Sequence, residues 1–96
     1  MSYSIQLSDQ AIDDLVDAQE YLERTTPSAL ARFLREFDSL LDLLESNPRI
    51  FQEYLNAIRR APMNRSRYNV FYRIGNNGVL IIAIVSQKAD SRNWPN

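Results

Sequence analysis

Residues 68–85 read Tyr68-Asn69-Val70-Phe71-Tyr72-Arg73-Ile74, then Gly75-Asn76-Asn77-Gly78, then Val79-Leu80-Ile81-Ile82-Ala83-Ile84-Val85. Successive side chains of a strand point to opposite faces, so Tyr68, Val70, Tyr72 and Ile74 share one face and Asn69, Phe71 and Arg73 share the other. The next four residues are Gly and Asn, the types that tolerate positive φ, and they turn the chain back into a hairpin. Val79 to Val85 is apolar throughout. A strand with no polar face belongs in the middle of a sheet, covered on both faces. Such a strand needs a second neighbour besides its hairpin partner.

Working outward, Ala57 to Met63 reads as a further strand. Pro62 cannot donate to a ladder, and Arg59 and Arg60 are charges of the kind that guard an edge, so this strand is expected at a sheet edge. Residues 49–56 read as a connection anchored by Phe51 and Tyr54. Before it, Leu30, Phe33, Leu34, Phe37, Leu40, Leu41 and Leu44 form one broad apolar stripe of a helix. Thr26 caps that helix, Pro27 opens it, and Asn47-Pro48 stops it. An earlier helix carries Ala11, Ile12, Leu15, Val16, Gln19 and Leu22 on one face, with Asp13, Asp14, Asp17 and Glu20 expected in water. Ser8 and Asp9 are its candidate caps, and its acidic first turns suit the helix dipole. The short link at Thr25–Ser28 makes the two helices an antiparallel hairpin. Tyr3, Ile5 and Leu7 alternate with Ser4 and Gln6 in a first short strand, the only one left to flank Val79–Val85. The expected fold is α+β, strand-helix-helix-strand-strand-strand, a helix hairpin packed on a four-stranded, mostly antiparallel sheet.

The chain has 96 residues, enough for a single domain over 1–96. No apolar run approaches the roughly 20 residues of a membrane span. The opening MSYSIQLSDQ has neither a basic patch nor a long apolar stretch, so no secretory signal and no membrane association are expected. With no cysteine there is no disulfide or thiolate chemistry, and a cytoplasmic setting is expected. The absence of histidine excludes serine–histidine and cysteine–histidine nucleophile systems and leaves acid–base work to Tyr, Lys, Arg, Asp or Glu. A metal site would need carboxylates alone, so neither metal nor cofactor is expected.

Charge is unevenly spread. Residues 1–48 carry three Arg against ten Asp and Glu, whereas residues 49–96 carry seven Arg and one Lys against two acids. The basic half is either a partner surface or a set of strands guarded by Arg.

Taken in order, these segments resemble the RelE/ParE toxin superfamily over nearly the whole chain. The residues that carry the resemblance are Tyr3-Ser4-Ile5, Ser8, Ala11 and Asp14-Leu15 at the start, then Tyr21-Leu22, Ala31, Phe33, Leu40, Leu44 and Asn47-Pro48 in the hairpin. They continue with Ile58-Arg59, Tyr68 to Ile74, Val79, Ile82, Ile84-Val85, Asp90 and Trp94. No one of these motifs is specific; their order along the chain is. The resemblance implies a toxin of a type II toxin–antitoxin system, held inactive by a cognate antitoxin in a toxin–antitoxin hetero-oligomer. ParE-like members act on DNA gyrase, and RelE-like members cut messenger RNA in the ribosome. Many members carry a His and an Arg just after the last strand, where this chain has Ser86 and Ala89, and the Pro that usually follows Asp90 is Ser91. That departure favours the gyrase-directed branch over the nuclease; a non-toxic binding module of the same fold is a third reading.

Were the chain a nuclease, Arg59, Arg67, Tyr68, Arg73 and Lys88 would have to hold the scissile phosphate and take the 2′-hydroxyl proton, with Arg60 and Arg65 as further cations. Tyr68 or Lys88 would then need a substantially lowered pKa. For partner binding the candidates are Arg59, Arg60, Arg73, Lys88, Arg92 and Trp94. An antitoxin is expected to lay a helix on the acidic hairpin and an extended, acidic stretch along a sheet edge.

Overall fold

A computed structural model of the chain describes residues 2–76 and 78–89. The elements run β1 (Ser4–Leu7), α1 (Asp9–Thr25), α2 (Pro27–Ser46), β2 (Glu53–Leu55), β3 (Ile58–Met63), β4 (Tyr68–Ile74) and β5 (Gly78–Ser86). The strands form one sheet in the order β1-β5-β4-β3-β2, with β1 parallel to β5 and every other pair antiparallel. The architecture is the expected α+β arrangement with one strand more. β2 lies inside the segment read as a connection, because Asn56 and Ala57, with φ of 51° and 67°, reverse the chain in a tight two-residue turn that brings Leu55 opposite Ile58.

This extra strand corrects the expected place of β3, which is not the outermost strand. β2 pairs only with Ile58 and Arg59, however, so Pro62 lies beyond its reach, on a stretch of β3 whose outer edge no described strand covers.

The hairpin at 68–85 forms, with the Gly75 N–H donating to the Gly78 carbonyl at 2.8 Å. None of Gly75, Asn76 and Gly78 has a positive φ, so the left-handed backbone expected of these turn residues is not used by them. Both helices lie on one face of the sheet. Phe33, Phe37, Leu40 and Leu44 of α2 and Ala11, Ala18 and Leu22 of α1 pack on Ala61 and Met63 of β3, Val70 and Tyr72 of β4, and Val79, Ile81 and Ile84 of β5. Burial of this set is the main source of stability. Among the described residues no helix covers the opposite face, and β5 is not covered there on both faces as its composition suggested. Leu80 is 39% exposed, and its backbone neighbour Val79 is buried. α1 also departs from expectation: Ile12 and Val16 are about half exposed, at 48% and 47%. They lie on a flank of the helix turned away from the sheet, and the small Ala18 takes the inward position instead.

β1 is only four residues long and pairs with β5 from Gly78 to Ile81. Beyond it the edge of β5 is closed by side chains. The Ser8 N–H donates to Ile81 O at 2.9 Å and Ser8 Oγ donates to Ile82 O at 2.8 Å, while the Ile84 N–H donates to Asp14 Oδ2 at 3.0 Å. A bulge at Ile82, between the pairs Phe71–Ala83 and Tyr72–Ile81, turns two successive carbonyls toward Ser8. Ser8 also caps α1 by accepting the Ala11 N–H at 3.0 Å. Asp14 therefore does not face water as its acidic neighbours do.

Candidate functional site

The sheet separates the basic candidates into three places. Arg59 points to the helix side and serves the 48–51 loop: Nη1 donates to Phe51 O at 2.6 Å and to Arg49 O at 3.4 Å. Directly opposite it on β4, Tyr72 is fully buried and donates its hydroxyl to Pro48 O at 2.6 Å. Arg59 is thus a loop anchor.

Arg60 and Arg73 lie on the helix-free face. Arg60 pairs with Phe71, its guanidinium lies 4.6 Å above the Tyr54 ring, and Tyr54 meets Phe71 edge-on at 5.4 Å. This stack of cation on aromatic on aromatic keeps a strand Arg extended over the sheet. Arg73 is exposed two residues further along β4, opposite Leu80.

The third place gathers most of the nuclease candidates. Arg67, Tyr68 and Lys88 line one cleft of about 500 Å³ with Tyr21, Leu22, Ser66, Ser86 and Gln87. It lies where the C-terminal part of α1 meets the β3–β4 turn and the end of β5. Arg67 has φ 64°, and this left-handed residue lets its N–H return to Met63 O at 2.8 Å and close the turn. The Gln87 N–H donates to Arg67 O at 2.9 Å, and its amide nitrogen donates to Asn64 Oδ1 at 3.0 Å and Asn69 Oδ1 at 3.2 Å. The turn and the end of β5 are thereby tied together.

Tyr68 stands against Phe33 at 5.2 Å, and its phenol is pushed above its ordinary range, first by burial and then by the neighbouring Tyr21. A general base needs the opposite shift. The cleft can offer two cations and hydroxyl groups to an anion, but it does not prepare Tyr68 to accept a proton. Of the remaining candidates, Arg92 and Trp94, with Asp90 and Ser91, lie outside the described residues.

Sequence reasoning missed Tyr21 and Gln87 as walls of this cleft. Both arrive there through the packing of elements distant in sequence, and neither has a local signal.

The chain matches the family model described as "ParE toxin of type II toxin-antitoxin system, parDE" over residues 5–91. It belongs to the ParE toxin family. No curated protein sequence matches it. Its fold resembles that in a structure of the chromosomal ParDE toxin–antitoxin system from P. aeruginosa, with a TM-score of 0.74 and 12% identity over 88% of this chain and 96% of that one. It also resembles a chain of the E. coli DinJ-YafQ toxin–antitoxin complex, with a TM-score of 0.67 and 14% identity over 93% and 97% of the two chains. A mutant of the E. coli toxin RelE in the free state gives a TM-score of 0.63 and 14% identity over 95% and 90%. At such identities the likeness to solved structures is one of fold alone. The ParE family membership carries the function: this is a toxin of a type II toxin–antitoxin system with the ParE/RelE fold. Among the described residues no helix is long and apolar enough to cross a membrane.

Proposed function

We propose that this ParE family toxin acts on DNA gyrase by binding it, without chemistry of its own, and is silenced by a cognate antitoxin. The observation that carries the reading is the dispersal of the cations. Arg59 holds a backbone loop, Arg60 and Arg73 lie on the open face, and Arg67 and Lys88 line a cleft at the other end of β4. Phosphoryl cleavage requires cations converging on one oxyanion beside a group ready to take a proton. The family resemblance sets Ser86 and Ala89 at positions where many members carry a His and an Arg, and the Tyr68 phenol is shifted the wrong way for a base.

The antitoxin has two surfaces that suit it. The exposed Ile12 and Val16, one turn apart on α1, offer an apolar strip for an amphipathic helix, and β2, exposed along its length, offers an edge for an extended segment.

The test is a supercoiling assay with purified gyrase run beside a translation assay, each with and without the toxin. Loss of supercoiling with translation intact is the expected result. Blocked translation with active gyrase would overturn it in favour of a ribosome-dependent nuclease acting on messenger RNA. That second reading is favoured by one observation, the meeting of Arg67, Tyr68 and Lys88 in a single cleft.

A further inference from the structure

Arg32, Arg35, Glu36 and Ser39 follow one another on α2 at i, i+3, i+4 and i+7, so they stand on one face of the helix, away from its buried stripe. The β3–β4 turn is fastened to this face by Glu36. Its Oε2 accepts the Arg65 N–H at 3.2 Å, and its Oε1 accepts the Ser66 N–H at 2.9 Å and the Ser66 hydroxyl at 2.7 Å.

Two things follow. Arg65 is carried alongside Arg32 and Arg35, and the three line a cleft of about 380 Å³ with Glu36 and Ser39. Glu36 is the one carboxylate in that described lining, and both its oxygens accept hydrogen bonds from the turn. Among the described residues no carboxylate or carbonyl pairs with the guanidinium of Arg32, Arg35 or Arg65. Three permanently charged forks therefore line one space with a single carboxylate, which leaves the described lining with an excess of positive charge.

We infer that Arg32, Arg35 and Arg65 form a binding site for a phosphate group, supplied by a nucleic-acid backbone or by free inorganic phosphate. The guanidinium fork matches two phosphate oxygens at once. Binding at this site is local in origin, because the chain as a whole carries a formal net charge of −1 and has no general attraction for polyanions. The site lies on the α2 side of the β3–β4 turn, whose Ser66 and Arg67 line the cleft described above, and its test uses neither gyrase nor antitoxin.

The experiment is fluorescence anisotropy of a labelled DNA duplex of arbitrary sequence with the purified chain, repeated across salt concentrations. Three phosphate contacts predict that affinity falls about 40-fold between 50 and 200 mM salt, and that Arg32→Gln/Arg35→Gln/Arg65→Gln flattens the log–log slope by about 2.7. The three side chains are exposed, so the variant should keep the wild-type circular dichroism spectrum. Arg24→Gln/Arg49→Gln, equally exposed but outside the cleft, should bind like wild type. If the duplex does not bind but inorganic phosphate shifts the Nε–Hε resonances of Arg32, Arg35 and Arg65, the site holds with a small phosphate as its ligand. The inference is overturned if neither probe binds, or if the Arg24/Arg49 variant loses as much affinity as the cleft variant.

Discussion

Arg59 and Tyr72 face each other across the β3–β4 ladder, and both direct their polar ends at the same loop, Arg59 to the carbonyl of Phe51 and Tyr72 to that of Pro48, each at 2.6 Å. One strand pair thereby fixes the path of the chain between α2 and β2. Tyr72→Phe keeps the ring and leaves a buried carbonyl without its donor, an expected cost of about 1–3 kcal/mol. Urea unfolding should show a lower midpoint at an unchanged m-value. An unchanged midpoint would mean that the loop holds itself.

The same tyrosine sets an alkaline limit. Burial raises the Tyr72 phenol above its ordinary value, although Arg59 pulls the other way, and burial also raises Tyr68. A raised folded-state pKa means the native chain keeps its proton where the unfolded chain has lost it. The resulting stability is fully present below the unfolded value near 10 and declines as pH rises through the folded value. Stability should therefore fall above about pH 10, and Tyr72→Phe should make that fall shallower. Melting temperatures at intervals from pH 8 to pH 11.5 would test this.

Ala57 has φ 67° in the β2–β3 turn, a conformation that glycine adopts without strain. Ala57→Gly should stabilise the protein by roughly 0.5–1 kcal/mol, reduced by the extra freedom glycine has in the unfolded chain. A rise in melting temperature is expected. A fall would mean that the alanine methyl makes a contact worth more than the strain.

Asp14 closes the edge of β5 through the Ile84 N–H at 3.0 Å. Asp14→Ala should cost about 1.5–3 kcal/mol, the range for a hydrogen bond to a charged group. Amide hydrogen exchange at Ile84 should rise sharply, while that of Val70 on the neighbouring strand changes only with global stability. Equal protection of Ile84 in both proteins would remove Asp14 from this role.

An antitoxin contact on the open sheet face is tested at Arg60 and Arg73 without touching Arg59, whose anchoring role would confound the result. If an acidic segment meets the helix-free face, Arg60→Glu/Arg73→Glu should slow association and reverse the salt dependence of binding more than it speeds dissociation. Stopped-flow mixing with the cognate antitoxin would show it, and unchanged association kinetics would place the segment elsewhere.

The fold was legible in sequence wherever a pattern was long or its punctuation strong. The alternation at 68–74, the Gly75–Gly78 turn and the Leu-rich stripe of α2 each specify one local structure, and the apolar β5 demanded the neighbour that β1 supplies. β2 was hidden because three residues are too few to show a period, and because its turn uses Ala57 where a glycine would have announced it. The exposure of Ile12 and Val16 was hidden because periodicity marks an apolar face without saying what covers it. The site was less legible. Arg59 and Arg60 are adjacent strand residues and so point to opposite faces, but only the packed loop reveals which one is occupied. Arg32, Arg35 and Arg65 come together through one glutamate 29 residues from the turn it holds.

The closure of β5 by Ser8 and Asp14 also orders the birth of the molecule in time. These bonds join residues 74 and 70 positions apart, and β1 pairs with β5 across a similar span. No part of that seam can form until β5 has left the ribosome. Until then α1 and α2 have no finished sheet to cover, and β1 is a four-residue strand without a neighbour. A toxin built this way reaches its native shape only after β5 has been made.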